Sequence, residues 1–170
     1  MEEHIVPECY FDTVLVKTLL KRKKVNHQKS CTKVESTVKG IDDFAVGIID
    51  KDKKEVQYLS EFNEEINAES LILWKHKTKQ HYFIQLAPAI EKWILDAADE
   101  SKINLEELGI PKDLEKLKRL TKNEAVSENE QLKALCRQLM NGNGKSVNTL
   151  ATWLNYLYDN NRNADINALK

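Results

Sequence analysis

The stretch "FAVGIIDKDK" (44–53) decides the fold class. Residues 44–50 are apolar or small without alternation until Asp50, and such a run is expected of a strand buried on both faces. Its end is abrupt: Asp50 and Asp52 stand one residue apart. They are either a pair of metal ligands at the tip of a buried strand or a polar turn in which aspartates bond their own backbone.

Strand-like and helix-like pieces alternate around this run. "HIVPEC" (4–9) suits a short strand, with Pro7 restricting it to an edge or a strand end. Phe11, Val14, Leu15, Thr18 and Leu19 then recur at helical spacing up to the basic run 21–24, where a helix carboxyl end favours positive charge. Residues 25–31 read as a second strand, and 32–40 as a short helix or turn closed by Gly40. Residues 53–70 are polar and read as a short helix followed by loop. "LILWKH" (71–76) and "HYFIQLA" (81–87) read as strands joined by a hairpin turn at 77–80. From Pro88 onward only helices are expected, with Pro88 and Pro111 in first turns and Ser127 with Glu130 as a capping box. The fold class is therefore α/β: a small, mostly parallel sheet flanked by helices over 1–100, then a helical annex over 101–170 with a frayed tail. The apolar faces around Trp153 and Tyr158 mark the annex as packing surface or partner interface.

Composition narrows the class of function. At 41% hydrophobic and 31% charged, the chain can bury a core and is not a disordered one. A net charge of −1 argues against a general nucleic-acid coat or a membrane-surface protein. Cys9, Cys31 and Cys136 are widely spaced, as expected of reduced thiols in a cytoplasmic protein. No apolar run nears the ~20 residues needed to span a bilayer. The sequence has neither a P-loop nor a dinucleotide-binding glycine pattern.

Ligands of parallel α/β sheets bind beyond the carboxyl ends of the strands. Glu8 ends the first strand, Asp12 follows one helical turn later, and Asp50 and Asp52 end the buried one. If those two strands are neighbours, Glu8, Asp50 and Asp52 converge, and a hard divalent cation would relieve their repulsion. "KRKK" (Lys21, Arg22, Lys23, Lys24), with Lys17 and Lys29, offers phosphate contacts or simply a solvated helix end. His76 and His81 flank the hairpin and read as surface histidines rather than a metal pair, for which a third ligand is lacking, and His4 and His27 join no constellation.

Two segments, "PECYFDTVLVKTLL" and "AVGIIDKD", resemble the motifs of the Toprim domain, over about residues 4–60. This small metal-binding α/β module is found in topoisomerases, bacterial primases and OLD-type phage-defence nucleases. The resemblance implies a nuclease or nicking subunit dependent on Mg²⁺ or Mn²⁺, acting on nucleic acid in phage defence or nucleic-acid processing. Glu8 would be general acid/base and metal ligand, Asp50 and Asp52 metal ligands, and Asp12 a supporting residue. Glu91 is either the acidic residue that follows the last strands in stand-alone members or a solvent-facing helix glutamate. A protein partner, such as an ATPase subunit, would bind through the annex. The alternative is a catalytically inactive Toprim-like scaffold or a protein-interaction module using the helical annex. Cys9 stands where the family motif has glycine, and no glycine follows Asp52.

Overall fold

The computed structural model describes residues 4–21, 24–51 and 56–170. Asp52, Arg22 and Lys23 lie outside the described residues. Strand β2 (Ala45–Asp50) is buried at every position, as its unbroken apolar run requires. It lies between β1 (Ile5–Pro7) and β5 (His81–Leu86) and runs parallel to both. β4 (Leu71–His76) pairs antiparallel with β5, and β3 (Phe62–Ala68) antiparallel with β4, giving the order β1-β2-β5-β4-β3. The sheet is thus mixed rather than mostly parallel, because two consecutive hairpins build its second half.

The segment read as loop before residue 71 supplies β3, whose exposed positions suit a sheet edge. Its hairpin to β4 is closed by Glu69 and Ser70, both at positive φ (53° and 58°), the backbone of a tight primed turn. At the other edge, β1 ends on Pro7. Residues 25–28 run beside it without becoming a strand: Asn26 N–H donates to Ile5 O at 2.9 Å and Gln28 N–H to Pro7 O at 3.0 Å.

Helices cover both faces. Alternate residues of the strands divide between two apolar clusters, as the two-residue side-chain period demands. The larger contains Ile5, Val46, Ile48, Leu73, Tyr82 and Ile84 with α1 (Tyr10–Leu20) and α3 (Ile90–Glu100). The same cluster takes in α4 (Leu114–Thr121), α5 (Glu130–Asn141) and α6 (Lys145–Asn160) through Leu117, Leu135, Leu150 and Leu154. The smaller holds Val6, Ala45, Ile49 and Phe83 beneath α2 (Cys31–Gly40) and the 3-10 helix Gln57–Glu61.

Several helix boundaries differ from the sequence reading by a few residues. Pro88 precedes the Ala89 N-cap of α3, Asp113 caps α4, and Asn129, not Ser127, caps α5 by accepting from Leu132 N–H. The tail read as frayed forms 3-10 helices at Asn161–Asn163 and Ile166–Leu169 and buries Ala164 and Ile166. It is tied down by an Arg162–Asp43 ion pair and by Asp165 O accepting from the Tyr156 hydroxyl at 2.9 Å. Trp153 is a core residue, so that ring offers no partner surface. Among the described residues no helix is long and apolar enough to cross a membrane.

Candidate active site

Because β1 and β2 are parallel neighbours, their carboxyl ends lie side by side, and so do Glu8 and Asp50. Asp50 N–H donates to Glu8 Oε2 at 3.3 Å across 42 residues of sequence. Asp50 Oδ1 in turn accepts from Ile90 N–H at 3.0 Å. Ile90 is the first residue of α3, whose N-cap, Ala89, has no side chain able to cap; Asp50 does so from the strand tip. The two carboxylates are 4% and 3% exposed, low enough that the polar contacts around them matter for the fold.

Asp12 lies one turn into α1 and is also buried. Its Oδ2 accepts from Cys9 N–H at 3.1 Å, while Cys9 Sγ accepts from Asp12 N–H at 3.3 Å. This is a capping box with a thiol in the place of the usual hydroxyl. Cys9 has extended backbone (φ −123°, ψ 172°), which any L-residue adopts, so glycine is not required there. Burial, then the Asp12 charge, pushes the Cys9 thiol well above its ordinary value.

Glu91, in the first turn of α3, is buried rather than solvent-facing: it accepts from Thr121 Oγ1 at 2.8 Å. Thr121 ends α4 and lines, with Glu8, a cleft of about 350 Å³. Its walls include Tyr10, His27, Lys29, Lys122 and Glu124.

His27 thus does belong to a constellation. It stacks on Tyr10 with ring centroids 4.5 Å apart, and its Nδ1 is 2.9 Å from Thr13 Oγ1. Thr13 gives its one hydroxyl proton to Cys9 O at 2.8 Å, so the His27 Nδ1 must be the donor in their mutual bond. Burial, opposed by a backbone bond and reinforced by Lys29 and Lys17, holds its imidazole below the ordinary range and therefore neutral. Nothing in the spacing of Tyr10, Thr13 and His27 marks them as partners before the chain is folded.

Of the basic run, Lys21 and Lys24 do not join this site. Lys21 caps the far end of α1 and is exposed, as is Lys24. The 11 residues of α1 put Lys21 about 16 Å from the acidic end.

The hairpin histidines are buried, correcting their reading as surface residues. His81 Nε2 lies 2.8 Å from Ile41 O and its Nδ1 2.9 Å from the Tyr58 hydroxyl. His76 Nδ1 accepts from Thr78 and Lys79 N–H, both at 3.0 Å, and its Nε2 faces Glu61 at 3.2 Å. Every ring nitrogen has a structural partner, which leaves no metal-ligating pair.

Among the described residues no three His, Cys, Asp or Glu side chains are grouped to hold a metal. The donor set formed by Glu8 and Asp50 is nonetheless of hard carboxylate oxygens, and magnesium takes one or two protein carboxylates with the rest of its shell from water and phosphate. Carboxylate oxygens are donors that hard divalent cations such as Mg²⁺ and Mn²⁺ accept. Comparison with models of known protein families, with curated proteins and with solved structures returned no match to this chain.

Proposed function

We propose that the chain is a Toprim-like nuclease or nicking subunit, dependent on Mg²⁺ or Mn²⁺ and acting on nucleic-acid phosphodiesters in phage defence or nucleic-acid processing. The observation that supports this reading best is the contact between Glu8 and Asp50 at the carboxyl ends of adjacent parallel strands. Glu8, Asp50 and Asp52 would hold the ion, which when bound neutralises charge on phosphodiester oxygens and lowers the pKa of attacking water.

The chain's own groups supply position and proton transfer. Glu8 borders the cleft, where its carboxylate takes a proton from the attacking group or returns one to the leaving oxygen. Asp12 fixes the backbone after Glu8 by accepting from Cys9 N–H. Glu91, through Thr121, ties α3 to the cleft wall formed by α4. This sequence holds no P-loop, so any ATP hydrolysis would be supplied from elsewhere, as by an ATPase subunit.

One observation favours the alternative, a catalytically inactive Toprim-like scaffold. Asp50 already serves as the cap of α3, and Glu8 already satisfies the Asp50 amide. The two readings separate experimentally because Asp50→Asn keeps an acceptor for Ile90 N–H while removing the charge. DNA and RNA are incubated with Mg²⁺ or Mn²⁺ and the wild type, Glu8→Gln or Asp50→Asn. The nuclease reading expects cleavage by the wild type and losses on the order of 100-fold or more in the variants, with folding preserved. Absence of cleavage by the wild type, or equal cleavage by all three, sinks it.

A further inference from the structure

We infer that the cleft beside Glu8 is a phosphate-group site whose donors are the Tyr10 hydroxyl and the Lys29 ammonium, and that Glu124 is the internal carboxylate such a ligand displaces. The inference names the ligand class of the site proposed above, and it rests on that reading only for the role of Glu8.

Two donors from one wall of the cleft converge on a single oxygen from the other. The Tyr10 hydroxyl donates to Glu124 Oε1 at 3.1 Å, and Lys29 Nζ lies 3.5 Å from the same atom. Glu124 arrives on the 3-10 helix Glu124–Glu128, more than a hundred residues later in the chain than Tyr10. Its carboxylate therefore occupies the position where an anionic oxygen from a ligand would sit. The Tyr10 hydroxyl is already aimed: its ring is stacked on His27, which is anchored through Thr13 to Cys9 O. Little ordering is lost when such a pre-organised donor meets a ligand.

The internal occupant is held weakly. The Lys29 and Glu124 side chains are 73% and 77% exposed, where water screens an ion pair almost completely. A phosphate offers more charge and further acceptor oxygens to the same two donors. Lys122, two residues before Glu124, lines the cleft as a third donor and makes no salt bridge among the described residues. Lys29 carries its ordinary ammonium charge at neutral pH. Glu8, also on the lining, disfavours an anion pressed against it, so the phosphate sits toward Lys29. A volume of about 350 Å³ leaves room for a group esterified to the phosphate.

The test is binding without divalent cation, followed by NMR of the Tyr10 and His27 ring resonances. The probes are inorganic phosphate, adenosine 5′-monophosphate and adenosine. Both phosphate-bearing probes are expected to shift these resonances saturably, and adenosine is not. Tighter binding of the nucleotide than of inorganic phosphate identifies an esterified ligand; equal binding identifies the free anion, and either supports the site. Lys29→Gln should weaken binding about tenfold. Glu124→Gln should tighten it about twofold to fivefold, because the competitor is removed. Both positions are exposed, so the fold should survive, as circular dichroism would verify. No saturable shift with phosphate, or unchanged or weaker binding in Glu124→Gln, overturns the inference. Phosphate binding without any nuclease activity would remove the catalytic reading alone; cleavage without phosphate binding would remove this one alone.

Discussion

Gly47 sits in the middle of β2, directly opposite Phe83 of β5, and has no room for a side chain. A Cβ there would lie 2.4 Å from Phe83 Cε1, 2.5 Å from Phe83 Cδ1 and 2.9 Å from Val34 Cγ1. Neither neighbour can step aside easily. Phe83 is fully buried, with Phe62 and Tyr58 rings at 5.2 and 6.5 Å, and Val34 is a buried residue of α2 itself. Gly47→Ala should therefore carry an overpacking cost of about 1–3 kcal/mol. Against it, alanine restricts the unfolded chain and returns about 0.4–1 kcal/mol. The steric term wins, leaving a net loss of roughly 1–2 kcal/mol. At this chain length that corresponds to a drop in Tm of about 2–8 °C. Urea and thermal unfolding followed by circular dichroism would measure it. Phe83→Leu removes the clashing ring atoms, so in a double-mutant cycle Gly47→Ala should cost less when Phe83→Leu is already present. A Gly47→Ala protein as stable as the wild type, or a cycle without coupling, would refute the reasoning.

Three further outcomes follow from geometry. Asp50→Ala strips Ile90 N–H of its acceptor in a buried setting and should cost about 1–3 kcal/mol in urea unfolding, with Asp50→Asn costing clearly less. His81 is held below its ordinary 6.5 chiefly by burial, with Lys79 and His76 adding to it, so the unfolded chain takes up a proton at a pH where the folded one does not. Stability should then be complete above pH 6.5 and fall as the pH drops through 6.5 toward the lower folded value. The slope is at most about 1.4 kcal/mol per pH unit for each such histidine, and His27, shifted the same way, acts in the same window. Unfolding curves between about pH 7.5 and 5.5 that stay flat or move upward would contradict this. Replacing Glu69-Ser70 by Asn-Gly should raise stability by about 1 kcal/mol, since both residues hold positive φ; a lower urea midpoint would count against the turn assignment.

Legibility in the sequence tracked how local the determining physics is. β2 was readable because burial on both faces forces an uninterrupted apolar run, and α1 because Phe11, Val14, Leu15 and Leu19 recur at helical spacing, although most of this helix is buried. The β4–β5 hairpin was readable despite a turn without glycine or asparagine; the imidazole of His76 closes it by accepting two backbone N–H groups. β3 was hidden because an edge strand needs few apolar residues and its turn uses Glu-Ser. At the site, the nearness of Glu8 and Asp50 followed from two parallel strand ends. The burial of Glu91 did not, since it depends on Thr121 of α4, 30 residues away. The cleft likewise depends on Glu124 reaching Tyr10 across 114 residues.

The division of the core into a larger and a smaller cluster has a consequence for amide hydrogen exchange. The buried residues of α2 are Cys31, Val34 and Val38, which join the smaller cluster, whereas α1 packs on α5 and α6 as well as on the strands. Amides of α2 can therefore exchange through a local opening that lifts this one helix, at a fraction of the global unfolding free energy. Those of α1 and the central strands must await the unfolding of the whole. The face of the sheet carrying Gly47 and Phe83 is thus the side from which the molecule comes apart first.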